Sequence, residues 1–299
     1  MFKGCLVALV TPFKGGGIDF GAFDRLVDHV LEGGVDGLVP CGTTGESPTL
    51  TAEEARQLIA AAVKRADGKA PVIAGSGTNC TERTLEACRV AADAGASGLM
   101  LVAPYYNRPN QQGLYEHFGQ VAERVSLPIM LYNIPGRTGV EISVETIGRL
   151  RDDHANIAAV KHATGSIDGA SELSRTSDIA ILSGDDTMTV PLMSIGAVGV
   201  VSVLANLLPR EMSAMTAAAA AGHWEEARSR HAELFGLASQ MLRLDTNPIP
   251  IKTALAIRGM MAEEFRLPMC RLDGVKKKRL EALLAQHPCK TVKATRQPA

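Results

Sequence analysis

The chain has no long run of like charge: 31 Lys and Arg face 32 Asp and Glu, for a formal net charge of −1. That balance gives no support for nucleic acid or a membrane surface as a partner. The opening stretch, MFKGCLVALVTPF, has one basic residue and a short apolar segment broken by Thr11-Pro12. It is too short to span a bilayer and lacks a small-residue cleavage pattern, so a cytoplasmic protein is expected. The six cysteines form no C-x-x-C and keep no regular spacing, which reads as reduced thiols. The seven histidines keep no metal-ligand spacing with cysteines or carboxylates, so no metal is expected. No G-x-G-x-x-G follows the first apolar segment, which weakens a dinucleotide-binding reading.

What is present is a set of eight short apolar runs, each ending in small or polar residues. They are CLVALVT from Cys5, GLVPCG from Gly37, PVIAGSG from Pro71, GLMLVAP from Gly98, PIMLYNIP from Pro128, IAAVKHA from Ile157, AILSGD from Ala180 and VGVVSV from Val198. They are continuous rather than alternating, as in strands covered on both faces. Helical patterns lie between them. The stretch from Thr51 carries Glu54 three residues on, a capping-box signature, and Leu58, Ile59, Ala62 and Val63 form one apolar stripe. The stretch from Thr81 closes near Gly95. Eight such units in 299 residues predict an α/β protein, a (β/α)8 or TIM barrel, over residues 1–224. An open doubly wound sheet is the rival. Beyond residue 224 the pattern predicts a C-terminal helical extension, 225–299, of three helices and a frayed polar tail.

One residue stands out from this pattern. Lys161 ends the sixth apolar run, although lysine is among the residues least often buried. Taken alone, it reads first as an ammonium reaching solvent or paired with a carboxylate. The second reading is a nucleophile for a carbonyl substrate. That role needs a neutral amine, and at an ordinary pKa of about 10.4 well under one per cent is neutral at pH 7. Catalytic residues of such barrels sit at the C-terminal strand ends, and the other ends fit the second reading. CGTTGES offers Thr43 and Thr44 beside a backbone that Gly42 keeps open, suited to a carboxylate. APYYNRP brings Tyr105 and Tyr106, which could also serve an interface. LYNIPGRTG brings Tyr132 and, in the loop, Arg137, suited to a second carboxylate. Carbonyl chemistry on a carboxylated substrate fits this set. Strand alternation turns His162 toward the helix layer. Asp185-Asp186 lacks a third metal ligand nearby and reads as a helix cap.

The motifs GTTGES, PYYNRP, LYNIPGRTG, VKHATG, LSGDD and NPIPIK resemble, in order and spacing, the dihydrodipicolinate synthase family, over about residues 1–285. The strand-end lysine and GTTGE are shared with the wider pyruvate-dependent aldolases; YNIPGRTG and NPIPIK are more specific. The resemblance implies condensation of pyruvate with aspartate-4-semialdehyde in lysine and diaminopimelate synthesis, with no cofactor. It implies an imine at Lys161, and proton transfer by Tyr132 through Thr43 to Tyr106. It implies Thr43 and Thr44 on the pyruvate carboxylate and Arg137 on the semialdehyde carboxylate. Gly184 and Val201 match positions lining the site through backbone carbonyls. Tyr106 would come from a neighbouring subunit of a homotetramer. His162 replaces a usual acidic residue. Ala52, Ala55 and Arg83 replace two histidines and a glutamate of lysine-regulated members, which predicts weak or absent inhibition by lysine.

Rival functions have discriminating features. A sibling aldolase, acting on N-acetylneuraminate or a keto-deoxy sugar acid, generally lacks the arginine of GRTG. A sugar-phosphate enzyme would want glycines after the eighth run, where SVLANLLP has none. A non-catalytic protein on the same fold has no need of Lys161, Tyr132, Thr43 and Tyr106 together.

Overall fold

The structure, a computed structural model, describes residues 1–287. Each of the eight apolar runs forms a strand. They are β1 (Gly4–Ala8), β2 (Gly37–Val39), β3 (Ile73–Gly75), β4 (Gly98–Val102), β5 (Ile129–Asn133), β6 (Ile157–His162), β7 (Ala180–Ser183) and β8 (Gly199–Ser202). They pair in parallel in the order β2-β1-β8-β7-β6-β5-β4-β3. A bridge between Leu38 and Val72 joins the two ends of the sheet. The result is a (β/α)8 barrel rather than an open sheet.

Alternation along the strands divides the apolar residues into two populations. Leu6, Val39, Ile73, Met130, Ala159 and Val201 fill the barrel interior. Their sequence neighbours, among them Val7, Leu38, Leu131, Val160 and Val200, pack outward against the helices. Both faces are buried, so the strands show no apolar–polar alternation. The outer layer is α1 (Phe20–Glu32), α2 (Ala52–Ala66), α3 (Thr81–Asp93), α4 (Gln111–Arg124), α5 (Val144–Asp153), α6 (Ile167–Thr176), α7 (Thr189–Met193) and α8 (Pro209–Ala220). The capping box read at Thr51 and Glu54 is formed in both directions. Asp19, Asn110, Ser143 and Ser166 cap four further helices with their side-chain oxygens, and such a cap contributes roughly 1 kcal/mol.

After the barrel come α9 (Trp224–Leu244), α10 (Ile249–Ile257) and α11 (Gly274–Ala285), the three helices expected of the extension. From residue 288 the tail predicted to fray lies outside the described residues. A small hairpin, Phe13–Lys14 with Gly17–Ile18, and a helical turn at Pro135–Thr138 were not foreseen. Both are too short to show a period. Among the described residues no helix is long and apolar enough to cross a membrane.

Candidate active site

Lys161 follows Ala159 by two residues, so it shares the inward face of β6. Ala159 is packed in the barrel interior; Lys161 stands one layer higher, at the C-terminal mouth, and is 4% exposed. The register pairs it with Tyr132 on β5 and Leu182 on β7. Its ammonium nitrogen lies 4.2 Å from the centroid of the Tyr132 ring. Burial lowers the Lys161 pKa to about 8, against the opposing through-space charge of Asp186 and with a smaller push from Arg137. Near pH 7 roughly a tenth of the amine is then neutral, some hundredfold more than for an ordinary lysine. Burial pushes the Tyr132 phenol up to about 12, opposed by Arg137 and by the Thr43 side chain. Tyr132 therefore keeps its proton at neutral pH and can lend it.

The two groups open into a cleft of about 160 Å³ that Thr43, Thr44, Arg137, Gly184, Asp186 and Asn247 also line. Thr43 and Thr44 lie on a tight helical turn just past β2. Arg137 lies on the turn after β5, exposed at the rim, and donates from Nη2 to the Asn247 carbonyl at 3.0 Å. Gly184 follows β7; a Cβ there would meet the Cβ of Ala163 at 2.5 Å, so no side chain fits. One site thus collects Lys161, Tyr132, Thr43, Thr44, Arg137 and Gly184 from the ends of four strands, β2, β5, β6 and β7.

Two further expected residues put no side chain into this cleft. Val201 packs in the barrel interior, and the cleft wall at that strand end is Val203. Tyr106 is 90% exposed, with a left-handed φ of 75°, and does not reach the cleft of its own chain. A bulky residue takes that backbone only where something holds it. Tyr105 lines a second, larger cavity of about 370 Å³, which adjoins the cleft at Thr43 and Arg137 and includes Ser47, Ala52 and Ala55.

The flanking polar groups behave as their chemistry requires. His162 is buried, and Nε2 lies 2.8 Å from the Ser166 carbonyl. A carbonyl only accepts, so Nε2 carries the hydrogen, and burial lowers the ring's pKa. His162 thus ties down the loop after β6 instead of facing the amine. Asp185 caps the short turn after β7 through the Thr187 N–H at 2.9 Å. Asp186 instead accepts from the N–H groups of Val203 and Leu204, at 3.2 and 2.9 Å. Burial pushes its carboxyl up to about 6.

Asn247 also lines the cleft, although no motif reading assigned it a part. Its side-chain amide donates to Thr44 Oγ1 at 2.9 Å, while its carbonyl takes the Arg137 hydrogen bond. It precedes α10, so the extension supplies part of the cleft wall. Its place in NPIPIK, beside a pair of prolines, was the available signal.

Comparison with known proteins gives a consistent answer. The Dihydrodipicolinate synthetase family matches residues 1–287. The 4-hydroxy-tetrahydrodipicolinate synthase of Hydrogenobaculum sp. (strain Y04AAS1) is 46% identical over 288 residues, 96% of this chain and 99% of its own. The crystal structure of dihydrodipicolinate synthase from Aquifex aeolicus superposes with a TM-score of 0.93 at 45% identity, covering 95% of this chain and 98% of that one. A chloride-inhibited dihydrodipicolinate synthase from Acinetobacter baumannii, complexed with pyruvate, matches at TM-score 0.93 and 39% identity, over 96% and 99% of the two chains. With its barrel, its strand-end lysine and this likeness along nearly its whole length, the chain belongs to the dihydrodipicolinate synthetase family.

Proposed function

We infer that this chain condenses pyruvate with aspartate-4-semialdehyde to 4-hydroxy-tetrahydrodipicolinate, a lyase-class step of lysine and diaminopimelate synthesis. The observation that carries the reading is the buried amine of Lys161 above the Tyr132 ring, at the mouth of the barrel. The neutral amine attacks the ketone carbon of pyruvate, and the ketone oxygen leaves as water. Loss of a methyl proton from the imine gives an enamine, whose carbon adds to the aldehyde. The semialdehyde's own amine then attacks the imine carbon, closes the ring and releases Lys161. The covalent imine supplies the activation, so no cofactor or metal enters the scheme. Thr43 and Thr44 hold the pyruvate carboxylate, Arg137 the semialdehyde carboxylate, and the Gly184 backbone borders both. The Val201 backbone carbonyl borders the site in the same way. Tyr132 moves protons through Thr43, whose side chain bears on its phenol.

Tyr106 completes that relay from a neighbouring subunit, in a homotetramer built from tight dimers. Its 90% exposure and strained backbone support a contact outside its own chain. Sedimentation of the purified protein gives the assembly, and mixing a Tyr106→Phe subunit with a Lys161→Met subunit tests the sharing. Shared sites predict that mixing restores part of the activity. The site of action is the cytoplasm.

Borohydride added with pyruvate should reduce the imine to a stable amine, and peptide mass spectrometry should find the added mass on Lys161. Mass on another lysine, or none, sinks the mechanism. The alternative, N-acetylneuraminate or keto-deoxy sugar acid cleavage, is assayed beside it; Arg137 at the rim favours two small substrates that each carry one carboxylate. L-lysine should inhibit weakly. Arg83 places its guanidinium 3.4 Å from the Asn79 side chain, and Ala52 and Ala55 in the second cavity offer no polar contact. Half-inhibition below about 1 mM, a binding energy near −4 kcal/mol, would contradict this.

A further inference from the structure

The turn that bears Thr43 and Thr44 is bracketed by two left-handed residues, Cys41 (φ 57°) and Glu46 (φ 55°). Neither is glycine, so their surroundings must impose that backbone. At Glu46 the surroundings are charged and sealed. Lys252 of α10 pairs with one carboxylate oxygen, and the Arg266 backbone N–H donates to the other at 3.1 Å. The Lys252 ammonium also lies 4.4 Å from the Phe13 ring centroid and 4.8 Å from that of Phe265. Arg266 goes on to donate from its guanidinium to Glu54 at 2.8 Å, to the Thr49 carbonyl at 2.9 Å and to the Gly16 carbonyl at 3.1 Å. Among the described residues, Lys252–Glu46 is the ion pair with both side chains buried, 0% and 1% exposed.

Such a pair is a poor device for stability, because an apolar pair of similar volume often does as well or better. What this one fixes is conformation. Glu46 follows Thr44 by two residues, and its left-handed backbone ends the turn that begins at Thr43. Neither Glu46 nor Lys252 lines the cleft. We propose that Lys252 is a positioning residue: by pairing with Glu46 it sets the turn that presents Thr43 and Thr44 to the pyruvate carboxylate. The C-terminal helices thereby become part of the pyruvate site. This rests on the reading above, in which those threonines hold that carboxylate.

The double variant Glu46→Gln/Lys252→Met removes both charges and nearly keeps the volume. Its Tm should stay within a few degrees of the parent. The KM for pyruvate should rise about tenfold or more, since small misplacements of binding groups have effects of that size. Borohydride trapping at Lys161 should need correspondingly more pyruvate, while the KM for the semialdehyde changes less than about threefold. Glu46→Asp, which keeps the charge and shortens its arm, should move the pyruvate KM in the same direction and gives the answer if the double variant does not fold. A normal parent trap with an unmoved pyruvate KM in the variants overturns the role of Lys252 alone. So does a parallel loss of both KM values and Tm, the mark of a merely structural part. Failure of the parent trap overturns the reading of the site itself, and this proposal with it.

Discussion

Lys161 and Lys252 are both withdrawn from water, 4% and 0% exposed, and both lie against aromatic rings. Burial pushes the pKa of each down. The difference is the carboxylate. Glu46 is in direct contact with Lys252 and counters the push. Lys161 has Asp186 acting on it only through space, and its pKa falls to about 8. A carboxylate in contact favours the charged form of a buried lysine. A distant one leaves it able to titrate near neutral pH and so to become a nucleophile. Burial alone does not separate the two roles.

The sharpest way to break this comparison is to replace each lysine by methionine. Lys161→Met should lower turnover on the order of a thousandfold or more and abolish borohydride trapping. Its thermal stability should hold or rise, because an apolar group replaces a buried amine with no carboxylate in contact. Lys252→Met should do the opposite to stability, leaving Glu46 buried without its cation at a cost of about 3–5 kcal/mol, a fall in Tm of roughly 10 °C by calorimetry. Equal losses of stability in the two variants would erase the distinction.

Tyr132→Phe keeps the ring beside Lys161 and removes only the hydroxyl. Turnover should fall by roughly 10²–10⁴, while pyruvate still traps on Lys161 at a reduced rate. If the trap disappears, the phenol is needed to form the imine and not only to move later protons. Arg137→Ala removes a charged partner worth about 1.5–3 kcal/mol, so kcat/KM for the semialdehyde should drop roughly ten- to a hundredfold. Trapping of pyruvate should be nearly unchanged; if both fall together, Arg137 acts through its bond to Asn247 instead.

The smallest effect concerns pH. The rate of imine formation should climb with pH and level off above about 8, as Lys161 loses its proton. The Asp186 charge favours the ammonium form, so Asp186→Asn should move that climb to lower pH, by less than about one unit. The side-chain oxygen that remains can still accept from Val203 and Leu204. A shift to higher pH would show that Asp186 does not act on Lys161 by charge.

Much of the barrel was legible because its strands are apolar on both faces and its helices carry local caps, such as Thr51 with Glu54. Lys161, Tyr132 and Thr43 could be placed at one mouth because strand direction and alternation fix where a strand-end side chain points. Glu46 and Lys252 were not legible as a pair. They stand 206 residues apart, and nothing local to either announces the other. The clue that singled out Lys161, a lysine within an apolar run, also fits Lys252 in NPIPIKTALAI. It marks a buried amine without saying whether an acid faces it.

The seam between β1 and β8 has a consequence for how the chain is made. Gly4 to Val7 pair with Gly199 to Ser202, and the Asn206 side chain both accepts from the Val10 N–H and donates to the Ala8 carbonyl, 196 and 198 residues away. During synthesis β1 can meet β2 early, but its other edge stays open until the eighth strand leaves the ribosome. At about 5–20 residues per second that is a wait of roughly 10–40 s. Through it the nascent chain carries an unpaired, wholly apolar strand edge, the kind of surface that invites aggregation. Dependence on holding chaperones should therefore be greatest for nascent chains that end short of Asn206, and should fall once that residue has emerged.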